Sequence, residues 1–212
     1  AYRLIEAGET ATRLEAAVAR GLTRFVRREK EMASLREAFE KARAGSGQVV
    51  GIVGEAGVGK SRLLLEARGV LPAGEYTYLE GHCLHYGGFM PYLPFLDFLR
   101  AYFDIREGDR EFIIKKKMHE KASQLDEKLK EALPPLEDIL SLKVEDEDYV
   151  KLDAPLKRMK IFEAIRNLLV RESQNKPLVV AIEDLHWIDK TSEEFLDYLI
   201  GFLPHTRILL LL

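Results

Sequence analysis

The chain has 212 residues, 47% of them apolar and 32% charged, with a formal net charge of -3. This is ordinary globular composition for one sizeable domain, and near-neutrality gives no electrostatic case for direct nucleic-acid or anionic-membrane binding. The single cysteine, Cys83, excludes an internal disulfide and favours a reducing, cytoplasmic setting.

Residues 1–23 lack the apolar core of a signal peptide, and the apolar run at 208–212 is far too short to span a bilayer. A chain that opens without methionine and stops within an apolar run is expected to be a piece of something longer. Residues 2–5 fit a short strand and 10–20 a helix with Leu14, Ala17 and Val18 on one face. A second helix follows residues 25–29 and runs to about Ala44, with Met32, Leu35, Ala38 and Phe39 at three- and four-residue spacing. Gly45-Ser46-Gly47 ends it. Residues 48–53 form an apolar strand that leads into a glycine-rich loop, and 61–68 continue as a helix. Residues 75–80 suit a second strand. From 91 to 173 the chain is mostly helical. Its charged middle, 110–130, has only a thin apolar stripe and reads as a solvated helical insertion, while 156–170 form an amphipathic helix with Leu156, Met159, Phe162, Ile165 and Leu169 in register. A buried strand at 178–182, a helix at 191–203 and a strand at 207–212 complete the pattern. Alternating strands and helices imply an α/β fold of the P-loop type, a three-layer parallel sheet with helices on both faces and an insertion between the second and third strands.

The loop Gly54-Glu55-Ala56-Gly57-Val58-Gly59-Lys60-Ser61 matches G-x-x-x-x-G-K-[ST] in full, with a strand before it and a helix after it. Glycines let successive backbone N–H groups curl inward onto phosphate oxygens, and the positive end of the next helix adds to that field. Lys60 is placed to reach the beta and gamma phosphates, and the Ser61 hydroxyl to meet Mg2+. The pattern implies ATP with Mg2+ as ligand. The strand at 178–182 ends in Glu183-Asp184. Such a strand taken alone is more often one simply leaving the core. Paired with the loop, it is expected to lie beside the loop's strand, with Glu183 serving the metal through water and Asp184 polarising the attacking water.

Phe25-Val26-Arg27-Arg28-Glu29, the loop GEAGVGKSRLL, and the stretch Ala181-Ile182-Glu183-Asp184-Leu185-His186-Trp187-Ile188-Asp189 together resemble the STAND class of AAA+ and related P-loop signalling ATPases. The nearest likeness is the ATPase module behind class III adenylate/guanylate cyclase domains and in large LuxR-type regulators. Cys83-Leu84, Tyr86 and Pro91-Tyr92-Leu93-Pro94-Phe95 resemble the same module. In that family the opening motif reads FVGRE and lines the adenine pocket. The resemblance therefore implies base contacts from Phe25, Val26 and Arg28, with Arg27 standing where the family has glycine. Residues 1–23 resemble the junction behind a cyclase domain, so 1–23 are expected to be a remnant or linker and 24–212 the ATPase domain, with its insertion at about 91–173. The implied partners are ATP, a cyclase upstream and helical or repeat regions downstream, with self-association left open. Because the family's domain continues beyond Leu212, the isolated chain is expected to bind nucleotide weakly and hydrolyse it poorly. Two alternatives stand beside the cyclase-linked switch, namely a module of a LuxR-type transcription regulator and a nucleotide-binding scaffold without turnover.

Other signals carry less. His82, Cys83 and His85 crowd together without zinc-type spacing, so packing is the better reading. His186-Trp187 read equally well as a packed pair or as a sensor of the gamma phosphate. Lys115-Lys116-Lys117 sit among acids and read as a solvated helix face. No nucleophile-elbow pattern supports a hydrolase triad.

Overall fold

Two-residue alternation within buried strands organises the structure, a computed structural model that describes residues 21–22, 24–72, 74–85 and 90–212. The strand and helix expected within residues 1–20 lie outside the described residues. In chain order the elements are α1 (Glu29–Arg43), β1 (Gln48–Val50), α2 (Lys60–Val70), β2 (Thr77–His82), α3 (Leu93–Tyr102) and α4 (Glu111–Leu125). A 3-10 segment (Glu127–Ala132) then leads into α5 (Leu133–Ile139), α6 (Glu147–Val150) and α7 (Ala154–Asn175). After these come β3 (Leu178–Glu183), a 3-10 turn (Leu185–Trp187), α8 (Lys190–Ile200) and β4 (Ile208–Leu211).

The four strands form one parallel sheet in the order β1-β4-β3-β2. The expectation that β3 lies beside the loop's strand is therefore corrected, because β4 stands between them. Leu210 pairs with Val49 on one side and Val180 on the other. Composition permits this order: Ile208, Leu209, Leu210 and Leu211 are all buried and apolar, as are residues 178–182 of β3, so either strand suits an interior position covered on both faces. β1 is shorter than the expected 48–53, yet its ladder continues where Leu212 N donates to Val50 O (2.9 Å).

Alternation sorts the strands' side chains into two cores. Leu178, Val180, Ile182, Ile208 and Leu210 join Phe95, Phe98, Phe162, Ile165 and Phe195 of α3, α7 and α8. Val179, Ala181, Leu209 and Leu211 join Leu35 and Phe39 of α1 and Leu63, Leu64 and Ala67 of α2. The result is the expected three-layer α/β arrangement.

The insertion is not the solvated appendage its charges suggest. Met118 and Ala122 of α4 are buried within the first core, together with Leu129, Leu133 and Leu136. Lys115 donates to the Lys143 carbonyl and faces Glu111 and Glu137, while Lys117 pairs with Asp109 at 2.8 Å. These lysines tie α4 to its flanking loops. On helix α7 the expected stripe is borne out at Phe162, Ile165 and Leu169 and fails at its first turns. Leu156 and Met159 are about half exposed, at 51% and 46%, and the seam is Ile161, Phe162, Ala164, Ile165, Leu168 and Leu169. Asp153 caps α7 by accepting from Leu156 N (2.9 Å), and at its far end buried Glu172 accepts from Thr77 Oγ1 (2.8 Å) and Tyr102 Oη (2.9 Å). Among the described residues no helix is long and apolar enough to cross a membrane.

β2 is held to α3 by a close approach at Gly81, where an added Cβ would lie 2.1 Å from the Pro94 carbonyl oxygen. Backbone blocks that space, so Gly81→Ala is expected to lower unfolding stability by about 1–3 kcal/mol, measured as a fall in the urea midpoint with unchanged slope. An unchanged midpoint would mean that α3 does not bear on β2 as described.

Candidate functional site

The glycine-rich loop leaves β1 and curls through two left-handed glycines, Gly57 at φ 83 and Gly59 at φ 93, before α2 starts at Lys60. Those angles are open to glycine at little cost, and the first amides of a helix such as α2 have no carbonyl partner within it. Lys60 Nζ lies across the loop, donating to Gly54 O (3.0 Å) and Glu55 O (3.1 Å). Glu55, Ala56 and Val58 are exposed on the loop, and Ser61 is half-buried in the first turn of α2.

A cleft of about 180 Å³ opens beside the loop. Phe25, Val26 and Arg28 line it together with Val58 and Gly59, so the structure brings the expected base-contact segment to the phosphate loop. Arg28 Nη2 donates to Val58 O at 3.0 Å and Arg28 Nη1 holds Glu31 at 2.7 Å, which pins the segment to the loop. Arg24 and Arg62 complete the lining and were not singled out in the sequence. Arg62 stands 5.9 Å over the Phe25 ring and hydrogen-bonds Glu66. Arg27 adopts φ 60, a left-handed backbone that a side chain enters at a cost of about 1–2 kcal/mol.

Glu183 and Asp184 stand at the C-terminal end of β3, the same end of the sheet as the loop. With β4 between β3 and β1, they are displaced sideways by two strand spacings, about 10 Å. Glu183 continues the alternation of Val179 and Ala181, so it lies on the face that α2 covers. Asp184 is exposed, at φ 57, and its carbonyl accepts from Trp187 N (2.9 Å) to start the following turn. Asp189 is buried and caps α8, accepting from Ser192 N (2.9 Å) and Ser192 Oγ (2.5 Å). Trp187 is 39% exposed and meets the His85 ring edge-on at 4.0 Å and the His186 ring at 4.8 Å.

The crowd at 82–85 separates in space. Cys83 faces the first core, and burial, then Asp189, Asp184 and Asp97, push its thiol up to about 12. His82 points to the opposite face, where register sets it across from Glu183. One ligand atom from each of Glu80, His82 and Glu183 lies within 4.8 Å of the others. Sequence neighbours suggested Cys83 and His85 as companions of His82, whereas strand alternation supplies Glu80 two residues away. Burial, then the hydrogen bond and charge of Glu183, raise the Glu80 carboxyl above its ordinary 4.5. Asp97 raises His82 above 6.5 against the opposing effect of burial, with Glu80 and Glu183 adding to the rise.

Over residues 24–211 the chain matches the family described as AAA ATPase domain. It is also similar to an uncharacterized protein of Rhizobium meliloti (strain 1021), at 30% identity over 175 residues covering 81% of this chain. The chain spans 16% of that relative's length. No solved structure matches the chain.

Arg27→Gly removes the left-handed strain and gives back part of it as unfolded-state entropy, for a net gain of about 0.5–1 kcal/mol. A thermal melt that rises for this variant agrees with the backbone described, and a fall contradicts it. A raised folded pKa means stability fully present below the unfolded value and lost as pH rises through the folded one, and this sign holds for both Glu80 and His82. Glu80→Gln is accordingly expected to raise Tm at pH 8, with the gain disappearing towards pH 4. A gain independent of pH would contradict the electrostatic origin.

Proposed function

As the chain belongs to the AAA ATPase domain family, an ATP-binding ATPase module, we propose that it serves as a regulatory switch of a multidomain signalling protein. The observation that carries this reading is the presence of three parts at one end of the sheet: a curled loop crossed by Lys60, a cleft beside it lined by Phe25, Val26 and Arg28, and two acids at the end of β3 two strands away.

Lys60 Nζ donates to two neutral carbonyl oxygens, so a triphosphate in the loop would draw its charge onto phosphate oxygens in exchange for two ordinary hydrogen bonds. The amides of Gly57, Val58, Gly59, Lys60 and Ser61 would cradle the same phosphates. The hydroxyl of Ser61 and the carboxylate of Glu183 are hard oxygen donors that fit Mg2+, with Glu183 acting through water. Bound Mg2+ would supply charge neutralisation on the phosphates. Exposed Asp184, beyond the last residue of β3, is free to accept a proton from an attacking water. The base would rest between Phe25 and the loop.

Residues 1–23 are assigned as a linker behind a nucleotide cyclase domain, and residues 24–212 as the ATPase domain with its insertion at about 91–173. The family resemblance of residues 2–4, 13–17 and 20–23 favours this cyclase-linked parent over a LuxR-type regulator. In either parent, the nucleotide state would bias the arrangement of neighbouring domains. A scaffold that binds without turnover is the competing class.

Two variants separate the classes. Lys60→Ala is expected to weaken ATP binding by about 10- to 100-fold, the loss of hydrogen bonds to a charged partner. Asp184→Asn is expected to keep affinity while lowering turnover by about 10²–10⁴-fold. Equal, measurable phosphate release from wild type and Asp184→Asn would remove Asp184 from the chemistry, whereas ATP binding with no phosphate release from wild type would favour the scaffold.

A further inference from the structure

We propose that Glu80, His82 and Glu183 form a binding site for a divalent transition-metal ion, zinc, at the edge of the nucleotide site. The three residues come from adjacent strands whose register places His82 directly across from Glu183. Glu80 lies two residues earlier on the same face of β2. Their ligand atoms are within 4.8 Å of one another, and all three side chains are half-buried. Tetrahedral zinc spaces its ligands by about 3.4 Å, so rotation of these side chains is enough to close the set.

Imidazole and carboxylate donors point to a borderline metal rather than to magnesium, which takes oxygen ligands in octahedral order. Three protein ligands with a solvent-facing fourth position is the usual arrangement of an open zinc site.

A second observation concerns the imidazole's other side. His82 Nε2 faces Glu80 Oε1 at 3.9 Å, while Nδ1 faces Asp97 Oδ2 at 3.6 Å. Asp97 also accepts from the His82 backbone N–H at 3.2 Å, which fixes it relative to β2. A carboxylate on the nitrogen away from the metal is how ligating histidines are oriented. Arg68 of α2, stacked 4.7 Å over the Tyr78 ring, is a basic side chain whose charge acts on Glu80.

Zinc at this site would also bear on nucleotide binding, a consequence that rests on the nucleotide reading above. Glu183 is shared, so zinc held by Glu80, His82 and Glu183 withdraws it from Mg2+ and lowers affinity for the magnesium nucleotide. Zinc would thereby act as an inhibitor read through β3.

The test is a zinc titration of the nucleotide-free chain against a chromophoric chelator at pH 7.5. One equivalent is expected to bind to wild type and to Cys83→Ser, with affinity reduced at least tenfold in both Glu80→Gln and His82→Gln. Thermal melts of each variant without metal establish that it is folded. Zinc affinity unaltered by both Glu80→Gln and His82→Gln, or absent in wild type, overturns the site. A fluorescent nucleotide is then titrated with Mg2+ into protein preloaded with one equivalent of zinc. Weaker binding in wild type but not in Glu80→Gln supports the competition, and equal binding with and without zinc overturns it. Zinc binding in a chain that takes up no nucleotide under any condition leaves the metal site standing and defeats the nucleotide reading instead.

Discussion

The double-sided burial of β3 is the constraint on which the rest depends. Leu178, Val179, Val180, Ala181 and Ile182 are each at most 1% exposed, so every side chain of that run must find apolar partners on one face or the other. Alternation meets the requirement by sending three of them to the α3, α7 and α8 core and two to the α1 and α2 core. The same alternation decides where the strand's last residue goes. Glu183 inherits the α2 face, the one on which the phosphate-loop helix lies. Burial of apolar side chains thus decides the face on which the Glu183 carboxylate stands.

The opposite end of the site is fixed by backbone rather than by core. Gly57 and Gly59 take left-handed angles, and α2 begins immediately after them. Arg28 ties the segment 25–28 to the Val58 carbonyl, so the cleft beside the loop is built across thirty residues of sequence by a side chain-to-backbone bond. Arg27 sits next to that anchor at φ 60, which gives a physical reason for glycine in the family's motif and for strain in this chain.

The local parts of this architecture were legible because their signals are contiguous. The loop's eight residues, the five-residue apolar run of β3 and the capping of α1 by glycine all sit within short windows. Non-local choices were not legible. Nothing in 178–182 or 208–212 says which strand stands next to β1, because both runs are apolar and both are buried on two faces. The acidic partners of Lys115 and Lys117 are supplied partly from the loop at 104–109, from Glu137 of α5 and from Glu145 beyond it, so a charged helix that resembled a solvated face packs on the core through Met118 and Ala122. On α7 the stripe holds at Phe162, Ile165 and Leu169, but Leu156 and Met159 lie before the buried stretch, and Ile161, Ala164 and Leu168 widen the seam. His82 shows the same limit at the site, since its partners come from cross-strand register rather than from its neighbours in sequence.

The central claim is that the loop at Gly54–Ser61 takes up a nucleoside triphosphate with magnesium. Its most direct test is a calorimetric titration of ATP into the chain, with and without Mg2+. Saturable one-to-one binding that tightens with Mg2+ is the expected result. No detectable affinity for ATP in a chain shown by circular dichroism to be folded, at any magnesium concentration, would contradict it.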